Sequence, residues 1–181
     1  YASKPALNIE GLGEKNVALL VDSRLVKSLP DLYKIKVPKL IDLNRFAATS
    51  AQKLVDNIQK SRQASLDKFI TALGIRHVGA QTATLLANNF KSIKNLEKAT
   101  IDELINVTNI GEIVAKSIEA YFANDETLKI VNELVEAVKP RFINSTKAPL
   151  AGKSYIISGT LEKYGREEAE DKLLADRKSV V

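Results

Sequence analysis

Arg76, His77, Gly79, Gln81 and Thr82 fall within seven residues of the stretch IRHVGAQTATLLANNF (75–90). They gather hydrogen-bond donors beside a glycine that opens a helix, with no nucleophile and no acid–base pair. The chemistry they support is anion binding. Backbone N–H groups at a helix start have no intrahelical partner, the helix dipole adds partial positive charge, and a phosphate fits there without any side chain. Proton transfer is not supported. His77 is the only histidine of 181 residues, and no second base or nucleophile accompanies it. It can donate to a phosphate, cap a helix or be solvated. With no cysteine, disulfides, thiol catalysis and zinc knuckles are excluded within this chain. The runs REEAED and NDETLK read as solvated helix faces. No P-loop, metal-ligand cluster or Ser/His/Asp set occurs, so no catalytic, cofactor-binding or metal-binding residue is assigned.

The same pattern recurs along the chain. Taking Gly79 as anchor, Gly111 lies 32 residues on, Ala47 lies 32 back, and Gly13 lies 34 before that. Four positions before the anchors stand Ile9, Leu43, Ile75 and Val107; one before stand Leu12, Phe46, Val78 and Ile110. Four after stand Val17, Ala51, Ala83 and Ala115; seven after stand Leu20, Leu54, Leu86 and Ile118. Offsets −1, +4 and +7 share one helical face, so each copy describes a helix entering a core. A small anchor is expected because a tight turn meets the helix there, where a side chain would force the backbone away from its neighbour.

The segments upstream also read as helices. Thr100 and Glu103 have capping-box spacing, Ser65 can cap a helix that stops at Gly74, and Pro30 and Pro38 sit where first-turn prolines are tolerated. The expected unit is helix, short hairpin, helix, repeated four times in an all-α domain. Candidate phosphate contacts are Gly11, Gly13 and Lys15 in the first copy and Ala47, Thr49 and Ser50 in the second. The third contributes Arg76, His77, Gly79, Gln81 and Thr82, the fourth Gly111 and Lys116. Contacts of this kind hold a nucleic-acid backbone and carry no sequence information. Turns one and three are the better candidates. The second replaces its glycine by Ala47, and the fourth is followed by Glu112, whose carboxylate would oppose a phosphate. A helical scaffold whose small residues serve only close packing stays open beside the phosphate reading.

Lys and Arg number 27 against 22 Asp and Glu, a net charge of +5, which permits a polyanionic partner without demanding one. No apolar run approaches the roughly 18 residues of a membrane span and no signal-peptide pattern opens the chain, so a cytoplasmic setting is expected. The chain starts at Tyr1 and contains no methionine, which suggests a piece of a longer protein. The helical pattern ends at Pro140, so residues 1–140 are expected as one domain and 141–149 as a linker. KSYIISGTL then reads as a short β-run before the helical stretch GREEAEDKLLA. Residues 150–181 are expected as the start of an α/β module, too short to bury a sheet alone.

Three words, YASKPALNIEGLGEK, SLDKFITALGIRHVGAQTA and PLAGKSYIISGTL…GREEAEDKL, closely resemble the C-terminal half of the bacterial NAD⁺-dependent DNA ligases. The resemblance covers essentially the whole chain. It implies four helix-hairpin-helix repeats gripping duplex DNA, followed by the first strand and helix of a BRCT domain. It further implies a parent enzyme that seals nicks bearing 5′-phosphate and 3′-hydroxyl in DNA replication and repair. That parent would use NAD, magnesium and zinc, all bound outside this chain by upstream adenylation, OB and zinc-finger domains. By the same resemblance this fragment alone lacks the adenylation site. The second turn, NRFAATSA, departs from the family pattern by lacking its glycine and lysine. A helix-hairpin-helix accessory protein of repair or recombination is the rival reading.

Overall fold

The computed structural model describes residues 1–43 and 45–143, and the backbone of 154–155 and 179–180. The chain divides into two units, Tyr1–Phe142 and Ile143–Val181. In the first unit the described elements are helical. They run α1 (Glu14–Asp22), a 3₁₀ helix (Leu29–Lys34), α2 (Val37–Ile41), α3 (Ala48–Lys60), α4 (Leu66–Leu73) and α5 (Ala80–Phe90). Then follow α6 (Ile93–Glu97), α7 (Ile101–Ile105), α8 (Glu112–Phe122) and α9 (Asp125–Val138). In the second unit, β1 (Ser154–Tyr155) pairs in parallel with β2 (Ser179–Val180). The rest of the expected linker and α/β module, from residue 144 on, lies outside the described residues.

Periodicity explains most of the first unit. In α4 the buried residues are Leu66, Phe69, Ile70, Ala72 and Leu73, a broad apolar face, and the helix stops where Gly74 turns left-handed at φ 68°. α7 starts on the expected capping box: the Glu103 N–H donates to Thr100 Oγ1 at 3.3 Å, and the Thr100 N–H donates back to Glu103 Oε2 at 2.9 Å. Pro30 and Pro38 open the 3₁₀ helix and α2, where a missing N–H costs nothing.

Two expectations about the elements fail. Ser65 precedes α4 but its side chain does not cap it. The Leu66 N–H donates instead to the Arg141 carbonyl at 2.8 Å, and the Arg141 N–H donates to Ala64 at 2.9 Å. A tertiary strap therefore serves the first N–H of α4, one position before those a Ser65 cap would take. The first copy, moreover, has no leading helix, since residues 1–10 form turns. The consequence appears four positions past each anchor. Ala51, Ala83 and Ala115 are fully buried where α2, α4 and α7 pack on the helices that follow them, whereas Val17 is 41% exposed.

Arg62 fastens the two ends of this unit. Its guanidinium donates to the carbonyl oxygens of Ala137 and Tyr33 and to Gln59 Oε1, and it lies 5.0 Å from the centre of the Tyr33 ring. Beside it the Gln63 N–H donates to Val138 O at 2.6 Å. The Tyr33 hydroxyl, in turn, is bonded to those of Ser61 (3.1 Å) and Tyr1 (2.8 Å), and burial pushes the Tyr1 phenol far above its ordinary range.

Candidate nucleic-acid interface

The four anchors are backbone equivalents. Just before each, an N–H reaches the carbonyl three residues back: Leu12 to Ile9 at 3.2 Å, Phe46 to Leu43 at 3.1 Å, and Val78 to Ile75 and Ile110 to Val107 at 3.0 Å. Gly13, Ala47, Gly79 and Gly111 then stand as N-caps of α1, α3, α5 and α8 in the extended region, at φ −79°, −79°, −89° and −90°. Each accepts, through its carbonyl, the N–H of the residue four on (Val17, Ala51, Ala83 and Ala115) at 2.9 to 3.0 Å.

This geometry corrects the reason given for the small anchors. An extended φ is open to any residue, and a Cβ placed on Gly13, Gly79 or Gly111 would meet nothing within 4 Å. Neither the turn nor internal packing requires glycine there, which is why Ala47 serves equally. The left-handed position lies two residues earlier, at Gly11 (φ 84°), His77 (φ 65°) and Asn109 (φ 66°). His77 therefore fills a backbone role. Histidine and asparagine are among the few side chains that enter this region at modest cost.

The anchored helices differ at the cap from α6, α7 and α9, though α2 and α4 also lack a side-chain cap. Ser92, Thr100 and Asn124 cap α6, α7 and α9 through their side chains. The anchors of α1, α3, α5 and α8 offer no side-chain acceptor, so the first N–H groups of those helices stay open to solvent. All four anchors are exposed.

Around them, Lys15, Thr49, Ser50, Arg76, His77 and Gln81 are exposed and Thr82 is half-buried. Two candidates have internal commitments. The Ser50 hydroxyl donates to Ala47 O at 2.9 Å, so its hydrogen is already used. Lys116 Nζ lies 2.6 Å from Glu112 Oε1; that bond holds the Glu112 carboxyl below and the Lys116 ammonium above their usual ranges. Lys116 is thus answered one turn away, and the fourth corner offers little net charge.

Turns one and two meet. Gly11, Asn16, Phe46, Ser50, Lys53 and Leu54 are among the residues lining a groove between them. Asn57 Nδ2, on α3, donates to Glu10 O at 3.0 Å across it, and Asn16 Nδ2 donates to Gly11 O at 2.7 Å. Tyr121, on α8, donates to Leu73 O at 3.1 Å, just ahead of turn three. Asn57 and Tyr121 each stand ten residues past an anchor, at Ala47 and Gly111. Copy two is thus linked to one and copy four to three by a donor at the same offset, although the acceptors lie three and six residues before their anchors. Lys53, Asn16, Asn57 and Tyr121 were not among the candidates from sequence; the shared offset of ten is the signal that could have found the last two. Among the described residues no group of three His, Cys, Asp or Glu could hold a metal ion, and no helix is long and apolar enough to cross a membrane.

Comparison with known proteins agrees with the geometry. Residues 68–131, which contain turns three and four, match a family model described as a helix-hairpin-helix motif. A protein named DNA ligase from Clostridium perfringens is 40% identical over 176 residues, 96% of this chain and 27% of the relative. Proteins of the same name from Brachyspira hyodysenteriae and Saccharophagus degradans are 42% and 41% identical over 94% and 97% of the chain, and 26% of each relative. The resemblance to bacterial DNA ligases holds along nearly the whole sequence, while the chain spans about a quarter of the length of these relatives.

Proposed function

We propose that this chain is the non-catalytic, DNA-gripping part of an NAD⁺-dependent DNA ligase, built as four helix-hairpin-helix units with the start of a BRCT module behind them. The turns hold the sugar-phosphate backbone of a duplex through main-chain N–H groups, with Lys15, Thr49, Arg76 and Gln81 as flanking donors. The whole protein then seals nicks in replication and repair, with adenylation, OB and zinc-finger domains as its other parts. With no cysteine and one histidine, the chain lacks the ligands of a zinc finger, and the resemblance puts the NAD and magnesium sites in the adenylation part. Those groups belong elsewhere in the longer protein.

One observation carries the reading. Four helices begin on the same turn, each at an exposed Gly or Ala with no side-chain acceptor; α6, α7 and α9 are capped by Ser, Thr or Asn, and α2 and α4 lack a side-chain cap but do not begin on that turn. A side-chain cap is worth about 1 kcal/mol to a helix, and it is missing at every one of the four places where the turn recurs. A phosphate needs those same N–H groups left open.

Titrating the chain with labelled duplexes across salt concentration tests the proposal. A log–log slope of about −4 to −7, corresponding to roughly 4–8 neutralised phosphates, is expected, with little dependence on base sequence. Absence of binding at roughly 50 mM salt, where counterion release favours association, would leave only the scaffold reading. The chain alone should not seal a nick in the presence of NAD⁺ and magnesium.

A further inference from the structure

The excess of positive charge is not spread evenly. Residues 1–98 hold 16 Lys and Arg against 8 Asp and Glu, whereas residues 99–143 hold 4 against 8. A dense part of the basic share stands at the far end of α5 from turn three. Lys91, Lys94 and Lys98 are all exposed, and among the described residues no ion pair joins them to a carboxylate, Glu97 included. Lys94 and Lys98 are four apart on α6 and its C-cap, a like-charge spacing that works against an isolated helix. Lys91 ends α5 in a left-handed conformation, φ 62°, where α4 uses Gly74. The platform is rigid: Ile93 and Leu96 are buried, α6 packs on α5, and the Asn95 side chain donates to Phe90 O at 2.8 Å. Three exposed lysines thus stand within eight residues on a packed platform, with no ion pair to a carboxylate among the described residues.

We infer that this lysine patch binds a second length of phosphodiester backbone, beyond the one gripped at the turns. The inference rests on the duplex-binding reading above. The reason for a separate length is distance. α5 has 11 residues, so its far end lies about 16 Å along the axis from the Gly79 turn. Phosphates seated on that turn cannot also reach Lys91. Flexible ammonium groups suit backbone phosphates approached without fixed geometry, since they are point charges without the planar guanidinium fork.

The test uses the 181-residue chain and its triple variant K91Q/K94Q/K98Q against duplexes of about 12 and about 40 base pairs. All three side chains are exposed, so the thermal midpoint should not move. On the short duplex, which the turns occupy, affinity should be unchanged. On the long one the variant should bind tenfold more weakly or worse, with a salt slope smaller by about 2 to 3, close to 0.9 for each phosphate no longer neutralised. Equal weakening on both duplexes would place the lysines inside the turns' own footprint and overturn the inference; unchanged affinity for both would do the same. If the parent chain binds neither duplex, the reading at the turns has failed instead, and the two failures are told apart.

Discussion

Gly11 and Gly79 stand in the same kind of turn, and their side-chain-free positions do different jobs. Gly11 is left-handed, so Gly11→Ala should cost about 1–2 kcal/mol and lower the thermal midpoint by several degrees. Gly79 is extended with open space where a Cβ would go. Gly79→Val should therefore keep its midpoint within about 2 °C while weakening duplex binding several-fold, because the isopropyl group stands where a phosphate would approach. Unchanged affinity would remove turn three from the contact surface. His77 behaves like Gly11: His77→Val should lose about 1–2 kcal/mol, since a β-branched side chain tolerates the left-handed region poorly, whereas His77→Gly should fold as well as the parent. Thermal melts of the two variants side by side separate this backbone role from any interaction made by the imidazole.

At the level of elements, the caps and the Arg62 fastener set the stability of the unit. Thr100→Ala removes the acceptor of the α7 capping box and should cost about 1 kcal/mol. Arg62→Met leaves two carbonyl oxygens and an amide oxygen without their donor and should cost more, about 2–3 kcal/mol, because these are hydrogen bonds from a charged group. Arg62→Lys keeps the charge but not the fork, and should recover little in denaturant unfolding. The neighbouring Tyr1 phenol adds a pH signature. Its folded pKa is raised, so the neutral form is favoured by folding; that stabilisation is complete below the unfolded pKa near 10 and lost as pH rises beyond it. Midpoints measured from pH 8 to 11 should fall steeply past about 10 in the parent and less steeply in Tyr1→Phe.

Across the whole molecule, net charge says less about the interface than the local pairing of each cation. Lys116 and Arg76 both lie near an anchor, yet Lys116 is bonded to Glu112 and Arg76 is exposed with no ion pair among the described residues. Arg76→Gln should reduce the salt slope of duplex binding by about 0.9, and Lys116→Gln should leave it almost unchanged. A large effect at Lys116 would mean that DNA displaces Glu112, restoring the fourth turn as a phosphate contact.

What the sequence alone determined was local and periodic. The repeat of apolar and small residues located each turn and the helix after it, and its own apolar positions are buried except Val17 and Leu43, because side chains 3.6 residues apart must share a face wherever they pack. The capping box at Thr100 and the stop at Gly74 were legible for the same reason, each depending on residues within a few positions. Only the tertiary structure decided what faces what. It left Val17 exposed for want of a leading helix, left the Ser65 side chain without a cap bond while Arg141 strapped the start of α4, and joined copies in pairs through Asn57 and Tyr121. It also showed an anchor open to solvent where a close approach had been expected, with a left-handed residue two positions earlier in turns one, three and four. Those outcomes depend on contacts between residues distant in sequence and on where empty space remains after packing, and neither quantity is written in a local pattern.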